Sequence, residues 1–127
     1  MVDALQPGKV HTVEKRAEPH ESAAAVASGA LDVFSTPSLV ALFERTALEC
    51  VDPSLPEGFG TVGIEVAVKH LKATKIGQRV RCAVTLTAVE GKRLTFTGEM
   101  WDDLGKIGEG THTRYIVDQV EFLKRLG

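Results

Sequence analysis

Cysteine is scarce in this chain: Cys50 and Cys82 are the only two, and no CxxC pair occurs. A disulfide framework and a thiolate zinc site are thereby excluded as scaffolds, and both residues, set in apolar patterns, are expected to be buried free thiols. An excess of positive charge is also missing. Lys plus Arg total 15 against 17 Asp plus Glu, a net charge of −2, so there is no footprint for nucleic acid or an anionic membrane. No stretch approaches the ~18 consecutive apolar residues a transmembrane helix needs. Met1–Val10 carries neither the apolar core nor the small-residue cleavage pattern of a signal peptide, so a cytoplasmic protein is expected. Nucleotide-binding glycine motifs, a P-loop and a GxSxG elbow are absent. His11, His20 and His112 have no partners at metal-ligand spacing, so no metal is expected. Cys50 has no histidine near it in sequence, and a cysteine or serine triad is unsupported.

What is present is an ordinary globular composition. The 127 residues are 43% hydrophobic and 25% charged, enough for one domain, 1–127, with a core of normal size. Met1–Lys9 reads as a lead-in with a turn at Pro7-Gly8, and His11–Ala17 as a first strand. Pro19–Asp32, rich in Ala and Ser, is a loop or a short weak helix. The main helix is expected over Pro37–Cys50, with Thr36 as N-cap, proline at the first helical position, and Asp52-Pro53 ending it. After the loop Ser54–Gly60 the period changes to two. Val62, Ile64, Val66 and Val68 alternate in one strand, Val80, Cys82, Val84 and Leu86 in the next (Arg79–Val89). Glu90-Gly91-Lys92 turns the chain into a third strand, Arg93–Trp101, and Asp102–Gly105 into a fourth, Lys106–Val117. Asp118 with Glu121 caps a short last helix, Gln119–Leu126. The order is strand, helix, then a meander of four long strands. A single helix cannot cover both faces of such a sheet. The expected class is therefore α+β, an antiparallel sheet of about five strands wrapped around one central helix, with leftover apolar surface buried in a dimer.

One residue breaks the pattern. Val40, Glu44, Ala47, Leu48 and Val51 recur at helical spacing, which puts a carboxylate in an apolar stripe. An ionised carboxylate leaving water must be paired, hydrogen-bonded or shifted in pKa. Glu44 is either a rim carboxylate reaching solvent or a functional group. Thr36 lies eight residues earlier, about 12 Å along the helix and on roughly the same side, too far for a direct bond but near enough to line one cleft. His70 continues the phase of the Val62–Val68 alternation and ends an apolar face with a titratable ring; on its own it is an ordinary strand-end histidine. Gly63 inside that strand marks either a packing glycine or a bulge and close approach. By strand phase it faces away from His70, so a shared site requires a bulge or a contribution through backbone alone.

Five segments in order then carry a resemblance: Val33-Phe34-Ser35-Thr36; Leu42-Phe43-Glu44; Gly63 with Val68-Lys69-His70-Leu71-Lys72-Ala73-Thr74; Val89-Glu90-Gly91-Lys92-Arg93-Leu94; and Ile107-Gly108-Glu109-Gly110-Thr111-His112-Thr113-Arg114. From Val33 to the C-terminus the chain resembles the fluoroacetyl-CoA thioesterase group of hotdog-fold thioesterases. The resemblance implies a hotdog fold, a homodimer or a pair of such dimers, and hydrolysis of a small acyl-CoA, with coenzyme A as part of the substrate and no separate cofactor. It implies a catalytic set at Thr36, Glu44 and His70, and substrate binding by Gly63 and Arg114, with Phe34 in the matching segment ahead of the helix.

These residue types suit thioester hydrolysis. A carboxylate can attack the carbonyl to give an anhydride or activate water as a general base. Histidine can orient the carboxylate or protonate the departing thiolate, and the threonine hydroxyl can donate to the thioester. A backbone N–H near Gly63 or at the helix N-terminus could hold the oxyanion. Lys69, Lys72, Lys75, Arg79 and Arg81 either meet the phosphates of coenzyme A or form a solvated basic edge. Arg114 on its own reads as a cross-strand salt-bridge partner. The chain departs from the family pattern at Ser22–Leu31. The fluoroacetyl-specific enzyme has lid phenylalanines ahead of the helix, whereas no aromatic residue occurs in this stretch, which favours a wider pocket and other acyl groups, aryl ones included. Two rivals remain: a non-catalytic hotdog dimer that senses or carries acyl-CoA, and a structural or partner-binding dimer in which Glu44 pairs with Arg45 or Arg93 across the interface.

Overall fold

A computed structural model describes residues 5–127 of the chain. Strand β1 (Val10–Arg16) precedes helix α1 (Thr36–Val51). Strands β2 (Phe59–His70), β3 (Arg79–Glu90), β4 (Arg93–Asp102) and β5 (Gly105–Asp118) follow, then helix α2 (Gln119–Lys124). The strands form one antiparallel sheet in the order β1-β3-β4-β5-β2. The expected strand–helix–four-strand order is thus observed, but β2 to β5 is not a simple meander. β2 leaves β3 to its other neighbours and pairs with β5, from Phe59↔Asp118 to His70↔Gly108, becoming an edge strand. Period-two alternation locates a strand without naming its partner, which is why this crossover was not visible in the sequence.

The segment between β1 and α1 contains a 3-10 turn at Pro19–Glu21 and further turns, with no α-helix. Glu21 ties it down: its carboxylate accepts from the Glu18 backbone N–H and pairs with Lys15. Isolated bridges Ser22↔Phe34 and Val33↔Lys75 close the segment against its neighbours.

Helix α1 starts one residue earlier than its sequence signals suggest. Ser35, not Thr36, is the N-cap, and its hydroxyl accepts from the Ser38 backbone N–H at 3.1 Å. Thr36 is therefore the first helical residue, with its hydroxyl free of capping duty. The helix buries Leu39, Leu42, Phe43, Thr46, Ala47 and Cys50 against the sheet. Opposite them lie Val80, Cys82, Val84 and Leu86 of β3 and Leu94, Phe96 and Met100 of β4. Burying a side chain such as Phe43 contributes about 1.5–3 kcal/mol. Its ring seats on Gly98, where a Cβ would stand 2.5 Å from the ring. The stripe Val40, Glu44 and Leu48 forms the flank of this face and is half-buried. Both cysteines are buried free thiols, as expected, and burial pushes the Cys82 thiol up to about 11.

Candidate active site

Helix α1 and edge strand β2 meet at two places. Thr36 near the start of α1 meets His70 at the end of β2, while Glu44, two turns on, stands over Gly63 near the start of β2. The two elements therefore run in opposite directions, with one polar cluster at Thr36 and His70 and another at Glu44 and Gly63.

At the first end, Thr36 Oγ1 and His70 Nδ1 are 2.7 Å apart. Burial holds the His70 imidazole below its usual pKa. Its Nε2 is buried without a hydrogen-bond partner among the described residues. A cleft of about 340 Å³ opens here, lined by Ala23, Ser28, Phe34, Thr36, His70 and Lys72 among others. The aromatic-free stretch Ser22–Leu31 thus contributes to this cleft through small side chains. Phe34 is almost wholly buried beneath it.

The platform under His70 is held by Asp102. Its carboxylate accepts from Lys72 Nζ at 2.8 Å and Thr74 Oγ1 at 2.9 Å, and from the backbone N–H groups of Leu104 and Gly105. Burial opposes ionisation of Asp102, but Lys72 and these hydrogen bonds outweigh it and hold the pKa below the ordinary value. Thr74 in turn accepts the Phe34 N–H on its carbonyl at 2.8 Å, so one buried carboxylate braces the segments leading to both Thr36 and His70.

At the other end, Arg114 is almost fully buried and fixed on three sides. Its Nε donates to Thr61 Oγ1 at 2.7 Å, one terminal nitrogen to the Thr61 carbonyl at 3.0 Å, and the other to His112 Nε2 at 3.1 Å. That last nitrogen also lies 3.9 Å from Glu44 Oε2. The Glu44 side chain remains 43% exposed, so its carboxylate is backed by a guanidinium on one side and partly open on the other. Gly63 makes room for it: a Cβ there would fall 2.9 Å from Glu44 Oε2, 3.2 Å from His112 Cε1 and 3.3 Å from Arg114 Nη1.

Gly63 reaches this face through a β-bulge. Gly63 pairs with Arg114 and Glu65 with Thr113, leaving Ile64 without a counterpart on β5. The extra residue reverses the side-chain phase, so Gly63 and His70 both face α1, the condition that a shared site required. It also splits the expected alternation. Val66 and Val68 pair with His112 and Gly110, while Val62 pairs with exposed Tyr115.

Sequence reasoning missed His112, treating it only as a lone potential ligand. It is 1% exposed, lies between the rings of Phe43 and Phe96, and bonds Glu65 O through Nδ1 at 2.7 Å. Its phase with Arg114 and Ile116 on β5 was the available signal. Arg114 is not the simple cross-strand salt bridge considered above: it bonds Thr61 and His112 and faces Glu44, while Arg45 pairs with Glu49. Glu44 makes no hydrogen bond or ion pair with Thr36 or His70 among the described residues. His20 does have acidic neighbours: donor atoms of Glu18, His20 and Glu21 lie within 4.8 Å of one another on the surface. Glu21 is already engaged by Lys15.

The fluoroacetyl-CoA-specific thioesterase family model matches residues 18–120. The fluoroacetyl-CoA thioesterase of Streptantibioticus cattleyicolor is 34% identical over 91 residues, spanning 72% of this chain and 66% of that protein. A solved fluoroacetyl-CoA thioesterase structure superposes with a TM-score of 0.93 at 28% identity, covering 98% of this chain and 96% of the other. A hot-dog-like protein from Thermanaerovibrio acidaminovorans superposes with a TM-score of 0.89 at 25% identity, covering 98% and 93%. The chain belongs to the fluoroacetyl-CoA-specific thioesterase family, a family of thioester hydrolases, and has the hotdog fold.

Proposed function

We propose that this protein hydrolyses a small acyl-CoA thioester between α1 and β2, with Thr36, Glu44 and His70 as its catalytic set. The observation that carries this is the Glu44 carboxylate, partly exposed with Arg114 behind it and an unsubstituted Gly63 beside it. In hydrolysis, the carbonyl carbon gains an oxygen from water and loses the coenzyme A thiolate, which takes up a proton. Glu44 either removes the proton from attacking water or attacks first, giving an anhydride that water then opens. Thr36, hydrogen-bonded to His70, can donate to the thioester oxygen, and neutral His70 can relay the proton required by the thiolate. Arg114 and Gly63 shape the place where the acyl group meets Glu44. Solved structures of the related thioesterase include complexes with acetyl-CoA and with fluoroacetate plus CoA, which supports an acyl-CoA substrate here. Small side chains in the cleft over Phe34 favour acyl groups beyond fluoroacetyl.

The site lies beside an edge strand of 12 residues on which Ile64 is 51% and Val66 38% exposed. Pairing of β2 with a second copy would satisfy that edge and wall the site, so the active form is a homodimer. No helix among the described residues is long and apolar enough to cross a membrane.

Thiol release from a panel of acyl-CoAs tests the assignment. At least one short acyl-CoA should be turned over, and Glu44→Gln should abolish turnover. Tight binding without release would favour the sensor or carrier, and release unchanged in Glu44→Gln would remove Glu44 from catalysis. Single-turnover hydrolysis in ¹⁸O-water tests for the anhydride: water opening it at the Glu44 carbonyl carbon leaves label on Glu44, which the general-base route never does.

A further inference from the structure

His112 is a polar side chain at the centre of an apolar packing, between Phe43 and Phe96, and both its nitrogens are committed. The partners dictate its protonation. Glu65 O can only accept, so Nδ1 must carry the hydrogen. Arg114 can only donate, so Nε2 must present its lone pair. The ring is thus neutral and fixed in the Nδ1–H tautomer. Burial, with the Arg114 charge adding to it, pushes its pKa below the ordinary histidine value.

This one ring joins two features on which Glu44 depends. Through Nδ1 it pins the carbonyl of Glu65, the residue that closes the β-bulge and so keeps Gly63 turned toward α1. Through Nε2 it holds the Arg114 nitrogen that stands 3.9 Å from the Glu44 carboxylate. Thr61 accepts from Nε and from the other terminal nitrogen, and among the described residues His112 is the hydrogen-bond acceptor for the nitrogen that faces Glu44.

We propose that His112 is a positioning residue for the reaction: as a neutral acceptor it aims Arg114, and Arg114 orients Glu44. The proposal rests on Glu44 acting in hydrolysis, as proposed above. It touches neither substrate nor reacting atoms.

Two substitutions separate its two bonds. The Asn amide lies where Nδ1 lies, so His112→Asn can still donate to Glu65 O but offers Arg114 no acceptor. The longer Gln reaches the position of Nε2, so His112→Gln can still accept from Arg114. A misplacement on the order of 1 Å costs about 100-fold in rate, so His112→Asn should lower kcat roughly 30- to 100-fold with KM changed less than about twofold. His112→Gln should stay within about fivefold of wild type, and adding His112→Asn to Arg114→Gln should cost nothing further, because the two act as one unit. Wild-type kcat in folded His112→Asn, or equal kcat losses in the Asn and Gln variants, would overturn the proposal. Should His112→Asn not fold, Gln at or near wild-type kcat supports it and a loss as large as that of Arg114→Gln overturns it. A second measurement does not depend on turnover. Long-range ¹H–¹⁵N correlation spectra of the wild-type protein should show the His112 ring as the Nδ1–H tautomer at pH 7. An Nε2–H tautomer or imidazolium there would overturn the proposal even if the protein hydrolysed no acyl-CoA. A wild type that hydrolyses thioesters, with Glu44→Gln inactive and His112→Asn unimpaired, would fail this inference alone.

Discussion

Adding one methyl group at position 63 should impair the reaction while leaving the fold intact. A Cβ on residue 63 would stand 2.9 Å from Glu44 Oε2, and ordinary van der Waals contact begins near 3.4 Å, so the carboxylate must retreat by 3.4 − 2.9 = 0.5 Å. Because Oε2 is the end of a flexible side chain that is 43% exposed, it can move toward solvent at small cost. His112 Cε1 and Arg114 Nη1, at 3.2 and 3.3 Å from the new atom, are held by their hydrogen bonds and need give only a tenth or two of an ångström. Alanine in place of glycine in a strand interior also recovers about 0.5–1 kcal/mol of chain entropy, which offsets the crowding. The net change in stability should therefore lie within about 1 kcal/mol of zero, a shift of only a few degrees in Tm.

Catalysis has no such compensation. If a misplacement of about 1 Å costs about 100-fold, half that distance should cost about tenfold in kcat. The assay is thiol release from the best acyl-CoA of the panel, with KM and kcat measured separately for Gly63→Ala and wild type, and Tm followed in parallel. Loss confined to kcat with Tm unchanged fits a displaced carboxylate. Unchanged kcat would mean that the position of Glu44 does not matter to the reaction. A fall in Tm of ten degrees would mean that Gly63 serves packing, the alternative its place in a strand first offered.

Other positions separate structure from catalysis in the same way. Gly110→Ala should fail differently from Gly63→Ala, because its Cβ would fall 2.1 Å from the Ala67 backbone oxygen; a loss of more than about 2 kcal/mol is expected in chemical denaturation. Asp102→Ala removes the acceptor shared by Lys72 and Thr74, and since Lys72 is 39% exposed and can be rehydrated, the cost should be about 1–3 kcal/mol, with kcat falling as the Thr36–His70 pair loosens. Acid should destabilise the protein in two stages. His70 and His112 have lowered pKa values, so the stability they contribute is complete above the unfolded histidine value of about 6.5 and is lost as pH falls through their folded values; Asp102, also lowered, loses its contribution only below the ordinary carboxylate range. Melting curves from pH 8 to 3 check this, and a Tm that does not fall between pH 6.5 and 4.5 would refute the histidine part. Ile64→Lys places a charge on the exposed edge and should shift sedimentation from dimer to monomer with loss of turnover; a wild type that is already monomeric would refute the dimer.

The parts of the fold legible in the sequence are those set by local rules. Thr36-Pro37 and Asp52-Pro53 bracket α1 to within a residue at each end, because capping and proline sterics act over a turn of chain. The β3–β4 hairpin is equally local, with Gly91 at a positive φ of 64° in the turn that Glu90-Gly91-Lys92 marks. Pairing of β2 with β5 is not local, and the two strands carry no signal that names one another. The cap at Ser35 was missed for a subtler reason: Ser and Thr cap almost equally well, and only the tertiary contact between Thr36 and His70 decides which hydroxyl stays on the helix.

The candidate site shows the same division one level up. Thr36 meets His70, and Glu44 meets Gly63 and Arg114, yet strand phase alone set Gly63 against His70. The reversal depends on one unpaired residue, Ile64, which is apolar and β-branched like its neighbours and therefore carries no mark of a bulge. What holds the bulge is the His112 bond to Glu65 O from β5, 47 residues away in sequence. His112 itself resembled an idle histidine because its partners, a backbone carbonyl and an arginine two residues on, leave no spacing motif. Buried polar groups must find partners, so a histidine in phase with Arg114 and Ile116 on a strand otherwise packed against α1 has to be doing one of two things: binding something, or holding something. Since both its nitrogens end on the protein's own groups, it holds, and what it holds is the face of Arg114 turned to Glu44.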